Sequence, residues 1–158
     1  MKKVPLTQAG AEKLKSELHR LRTVDRPAVI AAIADARSHG DLSENAEYDA
    51  ARERQGFLEG RISRIEAKLA QAHIVNPAEL DAGGRIVFGA TVELEDLETG
   101  NEVRYQIVGD DEADIKAGKI SVESPIARAL IGKVAGDIAE VQAPGGVREY
   151  EVLAVSYV

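Results

Sequence analysis

Apolar residues in the first half of the chain recur at the three- and four-residue spacing of an amphipathic helix. These positions are Ala11, Leu14, Leu18 and Leu21, and then Val29, Ile30, Ile33 and Ala34. Thr7 is of a residue type that commonly caps a helix N-terminus, and His39-Gly40 is a typical stop. Between the two stripes, Pro27 either kinks the helix or lies in the first turn of a continuing one.

A second amphipathic run follows a short acidic segment, residues 40–48. Its predicted apolar face consists of Ala46, Ala50, Phe57, Ile62, Ile65 and Leu69. Two long helices joined by a short turn predict an antiparallel coiled-coil hairpin over residues 1–75, with the acidic segment at its tip. Each arm of roughly 30 residues would be about 45 Å long, which indicates a protrusion rather than a compact domain.

The second half changes to the period of two that is typical of strands. Val92 and Leu94 alternate with glutamates, and Thr99-Gly100-Asn101 marks a turn into the next strand. Ser124-Pro125 predicts the start of a short helix, and Pro144-Gly145-Gly146 predicts a final hairpin. The expected fold is therefore α+β, in which a small antiparallel sheet with one short helix occupies residues 80–158.

Composition narrows the function classes. The 158 residues include no Cys, which excludes disulfides, thiolate metal sites and cysteine nucleophiles and agrees with a reducing cytoplasm. Neither a signal peptide nor a membrane span is expected. Residues 1–75 carry thirteen Lys/Arg against eleven Asp/Glu, near +2, whereas residues 76–158 carry seven against sixteen, near −9. Neither half has the basic stripe of a protein that binds nucleic acid tightly by itself.

The acidic segment allows two interpretations that are compatible with each other. Asp41 and Glu44 have the spacing of a capping box, in which carboxylates favour the positive end of a helix dipole. They could also contact one cation together, as a partial site that another macromolecule completes. A calcium loop is disfavoured, because Ala46 stands where that loop needs Gly and Arg52 where it needs a bidentate acid.

The segment from Gly40 to Glu53, Gly-Asp-Leu-Ser-Glu-Asn-Ala-Glu-Tyr-Asp-Ala-Ala-Arg-Glu, resembles the tip signature of the bacterial GreA/GreB transcript-cleavage factors. The resemblance continues through Gly56-Phe57, Glu59–Ile62, Phe88–Val92, Ile107–Asp114, Ile120–Val122 and Ser124–Gly132. It covers essentially the whole chain and is closer to GreA than to GreB.

The resemblance implies a hairpin followed by an FKBP-like domain that docks on RNA polymerase at the rim of its secondary channel. The hairpin would enter the channel and stimulate the polymerase's own cleavage of the nascent RNA 3′ end in backtracked complexes. By position, Asp41 and Glu44 would help to hold a second Mg²⁺ that is shared with the polymerase. The protein would then be a cofactor rather than an enzyme, with no small-molecule substrate.

Further residues carry smaller expectations. Arg37 and Arg52 flank the tip and could meet the extruded RNA, although a solvated helix face is the ordinary alternative. Tyr48 could stack on RNA or brace the loop. By resemblance, Ser124 and Pro125 begin the helix that faces the polymerase, and locally they are a good helix start. The three His residues are too scattered for a metal cluster.

Three other functions are considered. The FKBP-like resemblance suggests prolyl isomerisation, which the scarcity of aromatic residues in this half disfavours. A channel-binding inhibitor that does not promote cleavage could share the architecture, but Asp41 and Glu44 favour cleavage. A coiled-coil adaptor for some other partner would leave the matching C-terminal segments unexplained.

Overall fold

The computed structural model of the chain describes residues 3–38 and 45–158. The chain divides into two compact units. The hairpin unit contains Ala11–Ala72, and the C-terminal unit contains His73–Val158 together with Lys3–Gly10. No helix in these described ranges is long and apolar enough to cross a membrane.

The first arm of the hairpin unit is one continuous helical path. Helix α1 (Gln8–Arg20) passes through a π-helical segment (Leu21–Asp25) into helix α2 (Arg26–Arg37). Pro27 lies in the first turn of α2, so the helix continues rather than stopping there. Inside a helix, a proline ring clashes with the carbonyl group one turn before it, and the proline has no N–H to donate. The wider π-helical turn before Pro27 accommodates the ring and the missing hydrogen bond. The Arg26 N–H accordingly bonds to the Leu21 carbonyl.

The second arm is helix α3 (Ala46–Gln71), which packs against α2 and the π segment. The buried apolar positions of the two arms are Ala11, Leu14, Leu18, Leu21, Val29, Ile33 and Ala36, and then Ala51, Leu58, Ile62 and Ile65. The predicted apolar face was wrong at Ala46, Ala50 and Phe57, which are exposed. Leu58 is buried in place of Phe57, because Leu58 lies seven residues after the buried Ala51 and therefore on the same face of α3.

Ion pairs join the two arms in antiparallel order. Arg61 bonds to both carboxylate oxygens of Glu17, at 2.6 and 2.8 Å, and Arg26 bonds to both of Glu59, at 2.9 and 2.7 Å. Each pair matches the planar guanidinium to the two carboxylate oxygens, which fixes the alignment of the arms more than it stabilises them. The predicted antiparallel hairpin is confirmed for the described residues.

The C-terminal unit contains a five-stranded sheet in the order β5-β4-β3-β7-β6. Its strands are β3 (Thr91–Asp96), β4 (Glu102–Val108), β5 (Lys119–Ser121), β6 (Ile138–Ala143) and β7 (Gly146–Ser156). The expectation of an antiparallel sheet was wrong at β5, which pairs parallel to β4. The other pairs are antiparallel, including the predicted β6–β7 hairpin.

One face of this sheet and a short helix, α4 (Pro125–Leu130), enclose the core. Val92, Leu94, Ile107, Leu130 and Val152 are all fully buried. The aromatic residues of this unit pack around the same cluster; they are Phe88, Tyr105, Tyr150 and Tyr157. The alternation in β3 thus separates a buried apolar face from an outer face that carries glutamates, as the period of two predicted.

The N-terminal segment folds with the C-terminal unit. Strand β1 (Val4–Thr7) pairs with β2 (Ala72–Val75), and the Glu112 carboxylate accepts hydrogen bonds from the Thr7 N–H at 3.0 Å and from the Thr7 hydroxyl. Thr7 Oγ1 in turn accepts the Gly10 N–H at 3.1 Å, which is the predicted N-cap. The two units differ from the predicted domains, 1–75 and 80–158, because Lys3–Gly10 and residues 73–75 both group with the C-terminal unit.

Candidate functional site

Asn45 links the two arms at the described end of the hairpin. Its side-chain oxygen accepts the Tyr48 N–H at 3.1 Å and so caps α3, while its amide nitrogen donates to the Ala36 carbonyl at 2.7 Å. One side chain thus satisfies the start of α3 and binds it to the last turn of α2. The sequence analysis missed Asn45, although an Asn directly before an Ala- and Glu-rich helical run was an available signal.

Tyr48 lies between two arginines from opposite arms. The Cζ atoms of Arg37 and Arg52 are each 5.9 Å from the centre of its ring, and Arg52 Nη1 donates to the phenolic oxygen at 3.0 Å. Hydrogen bonding by Arg37, and then by Arg52, lowers the pKa of Tyr48. The ring holds both guanidinium groups at the described end of the hairpin, and the two roles expected of Tyr48, stacking on RNA and bracing the loop, stay predictions.

A shallow groove runs beside this cluster between α2 and α3. Its volume is about 260 Å³, and it is lined by Ile30, Ile33, Ala34, Arg37, Arg52 and Gln55. Ile30 and Ala34 were expected in the seam, but both are exposed, Ile30 at 53%. The groove therefore combines an apolar floor with two cationic side chains, a combination that can receive a planar group attached to an anion.

The two predicted metal-binding carboxylates, Asp41 and Glu44, lie outside the described residues, and their roles remain predictions. Within residues 3–38 and 45–158, no group of three or more His, Asp or Glu side chains is placed to hold a metal ion. Two carboxylates are fewer oxygen ligands than Mg²⁺ takes, so this donor set suits a site that other groups complete. The described residues Ser38 and Asn45 lie on either side of the segment that carries them.

The predicted polymerase-facing residues begin α4 as expected. Ser124 Oγ accepts the Ala127 N–H at 3.3 Å and donates to the Ser121 carbonyl at 2.7 Å, while Pro125 occupies the first helical turn and is exposed. Ser121 Oγ in turn donates to the Asp110 carboxylate. These hydrogen bonds hold the first turn of α4 in one conformation at the protein surface.

Comparison with known proteins assigns both units. Residues 4–74 match the family model described as "Transcription elongation factor, N-terminal", and residues 80–157 match "Transcription elongation factor, GreA/GreB, C-term". The chain is 70% identical to transcription elongation factor GreA of Neisseria meningitidis serogroup A / serotype 4A, over 158 residues and 100% of both chains. It is 68% identical to GreA of Thioalkalivibrio sulfidiphilus, again over 100% of both chains.

A solved structure of GreA factor homolog 1 (Gfh1) of Thermus thermophilus is 32% identical, with 98% of this chain and 99% of that chain covered and a TM-score of 0.43. The assignment rests on the family models and the full-length relatives. This chain belongs to the GreA/GreB family of transcription elongation factors and is of the GreA type.

Proposed function

We propose that this protein binds RNA polymerase, inserts the end of its hairpin into the secondary channel and stimulates the polymerase's own cleavage of backtracked RNA. The protein is then a cofactor of a nuclease reaction that belongs to the polymerase. The expected cytoplasmic location follows from that partner.

The observation that carries the proposal is the cluster of Arg37, Tyr48 and Arg52 at the described end of the hairpin. Two guanidinium groups held on one ring keep positive charge next to the segment with Asp41 and Glu44. An extruded RNA 3′ end brings a phosphate backbone, which such cations attract, and bases, for which the neighbouring groove offers an apolar floor.

Asp41 and Glu44 would supply carboxylate oxygens to a Mg²⁺ that the polymerase and the RNA also hold. When bound, that ion lowers the pKa of a water and neutralises charge that develops on the cleaved phosphate. The chain's own contribution is to deliver the two carboxylates at the end of a narrow hairpin. Asn45 keeps the adjacent helix start fixed while they act.

Docking by the C-terminal unit would keep the hairpin at the channel. Ser124 and Pro125, which are ordered by the hydrogen bonds around the start of α4, belong to the surface that would face the polymerase. The basic residues of the hairpin are interspersed with acidic ones and do not form a broad basic face. This pattern favours the GreA type of activity, in which the cleavage products are short.

The test uses stalled, backtracked polymerase complexes with 3′-labelled RNA in Mg²⁺. The wild-type protein should release short 3′ fragments, and Asp41→Asn or Glu44→Gln should reduce that stimulation at least about tenfold, as losses around bound metals do. Both variants should still compete for the polymerase. Asp49→Asn, the same charge change in the first turn of α3, is the matched control and should cleave like wild type.

Cleavage at the wild-type rate by either tip variant would refute the metal role. Loss of polymerase binding by these variants would assign the carboxylates to folding or docking instead. Binding of wild-type protein without any cleavage would identify the protein as an inhibitor that occupies the channel.

A further inference from the structure

Hydrophobic packing between the two arms becomes weaker toward the tip. The buried residue in the last turn of α2 is Ala36, and the first buried residue of α3 is Ala51. Farther from the tip, Ile33 and Leu58 supply larger buried side chains. The stabilisation from apolar burial is roughly proportional to the area removed from water, so two alanine methyl groups hold the arms together only weakly. The tip end of the hairpin therefore depends on polar contacts for its alignment.

Asn45 provides such a contact between the arms. Its Nδ2 donates to the Ala36 carbonyl at 2.7 Å, and its Oδ1 accepts the Tyr48 N–H at 3.1 Å. Helix α2 ends at Arg37, so the Ala36 carbonyl is one of the last four of that helix, which have no intrahelical partner. Tyr48 adds a second link, because its ring lies beside the Arg37 guanidinium of α2.

The two hydrogen bonds of Asn45 require both a donor and an acceptor on one side chain. A backbone N–H only donates and a carbonyl only accepts, so these partners fix the orientation of the Asn45 amide. Asp and Ser cap helices about as well as Asn does. A carboxylate has no proton to donate to Ala36, however, and a Ser hydroxyl is one bond shorter. Substitution of Asn45 can therefore keep the cap of α3 while it removes the link to α2.

We propose that Asn45 is a positioning residue, whose link to the Ala36 carbonyl holds Glu44 where the shared Mg²⁺ needs its carboxylate. Glu44 is bonded directly to Asn45 in the chain, so a displacement of Asn45 moves Glu44 with it. This inference rests on the proposed function, in which Asp41 and Glu44 contribute to a metal site. Removing a residue that orients a metal ligand typically lowers metal affinity or activity by about 10- to 100-fold.

The ordinary role of Asn45, as a helix cap alone, predicts a different outcome. Loss of a cap lowers the stability of the helix, so it would reduce the extent of cleavage equally at every Mg²⁺ concentration. A displaced ligand instead weakens Mg²⁺ binding, so cleavage would need more Mg²⁺. The Mg²⁺ dependence of stimulated cleavage therefore separates positioning from capping.

The experiment titrates Mg²⁺ in the cleavage of 3′-labelled RNA by backtracked complexes, and cleavage without the protein is subtracted. Asn45→Ser and Asn45→Asp both keep the cap and lose the link, and only the second adds a charge. Both should raise the Mg²⁺ concentration for half-maximal stimulation about tenfold. Their competition for the polymerase should equal that of wild type.

Asn76→Ser is the matched control. Asn76 Oδ1 also caps a helical turn, Pro77–Glu79, where it accepts the Ala78 N–H at 3.1 Å. The substitution is the same as at Asn45 and lies outside the hairpin unit. The Mg²⁺ requirement of this variant should equal that of wild type.

A second measurement follows the link between the arms without cleavage. The chain has no Cys, so nitroxide labels can be attached at Asp35→Cys and Asp49→Cys. These two positions are exposed and lie in the last turn of α2 and the first turn of α3. Electron paramagnetic resonance should give a narrow distribution of label distances in the protein with Asn45 and a broader one with Asn45→Ser.

Three outcomes would refute the positioning role and leave the proposed function intact. The first is a wild-type Mg²⁺ requirement of Asn45→Ser, including the case in which the extent of cleavage falls. The second is a raised requirement in Asn45→Asp alone, which would assign the effect to the added charge. The third is a label distribution that Asn45→Ser does not change.

Failure of the wild-type protein to stimulate cleavage would refute the proposed function itself. The label distances would then still decide whether Asn45 holds the two arms together, because they do not depend on the polymerase. A broader distribution in Asn45→Ser would support the link, and an unchanged one would refute it.

Discussion

The Glu112 side chain lies close against Gly10. We therefore predict that Gly10→Ala lowers the free energy of unfolding in the wild-type protein but raises it in the Glu112→Ala variant. A Cβ at Gly10 would overlap the carboxylate of Glu112 and lie 2.8 Å from its Cγ. The same carboxylate accepts N–H groups from Thr7 at 3.0 Å and from Gly109 at 3.1 Å, and both of these residues are buried. Gly10→Ala must therefore displace Glu112 from the donors that it satisfies.

The magnitude follows from those two backbone donors. A hydrogen bond to a charged acceptor contributes about 1.5 kcal/mol at the low end of its range, so Glu112→Ala should lower the free energy of unfolding by about 3 kcal/mol. Gly10→Ala should lower it by about 2 kcal/mol, because alanine recovers about 0.5–1 kcal/mol in helix α1. In the Glu112→Ala background the overlap is gone, and Gly10→Ala should instead raise the free energy of unfolding by about 0.5 kcal/mol.

Glu112→Gln separates shape from charge. A glutamine oxygen can take both backbone N–H groups, but its amide can only donate to Thr7 Oγ1, so the charge assistance and the acceptor of the Thr7 hydroxyl proton are both lost, at about 2 kcal/mol together. Glu123→Ala, which removes an exposed carboxylate of the same unit, is the control and should change the free energy of unfolding by less than about 0.5 kcal/mol.

Urea unfolding of the full-length variants, followed by far-ultraviolet circular dichroism, gives the double-mutant cycle. Amide hydrogen exchange at Thr7 adds a local measurement, and its protection should fall in both single variants. Additive effects of the two substitutions, or a Glu112→Ala variant as stable as wild type, would refute the reasoning. Water would then satisfy the Thr7 and Gly109 donors without cost.

Three smaller predictions concern the hairpin unit. Hydrogen bonding by Arg61 lowers the pKa of Glu17 from its ordinary value. The pair therefore stabilises the hairpin fully at pH values above that ordinary pKa and loses its contribution as pH falls through the lower folded pKa, and Glu17→Gln should show a shallower loss of stability in acid unfolding curves. Asn45→Ala should cost about 1 kcal/mol in urea unfolding, since it removes the cap of α3. Arg52→Ala should raise the pKa of Tyr48, measured by absorbance of its phenolate, and an unchanged titration would contradict the hydrogen bond between them.

Local patterns predicted most of the elements because their causes lie within a few residues of each other. Ser124 and Pro125 marked the start of α4, and Thr7 marked the start of α1 through a bond to the N–H three residues on. Pro144-Gly145-Gly146 marked the β6–β7 hairpin. These signals act through backbone geometry and neighbouring N–H groups, so the sequence alone is sufficient for them.

The sequence did not predict which of several similar apolar residues is buried, or how a very short strand pairs. Phe57 and Leu58 are adjacent and both apolar, and only the packing of α3 against the other arm decides which of them is buried. Likewise, β5 has three residues, too few for a pattern to reveal that it pairs parallel to β4. Packing decides such cases because the free energy depends on the partner surface, which a local pattern does not contain.

The sequence by itself determined the class of the protein, an acidic segment between two amphipathic helices followed by a small sheet, and its family motifs. Tertiary structure alone decided that Glu112 holds Thr7 across 105 positions, that Asn45 joins the two arms, and that Phe57 faces outward. Helix and strand preferences act over a few neighbouring residues, whereas each of these arrangements depends on contacts between surfaces that the chain brings together only when it folds.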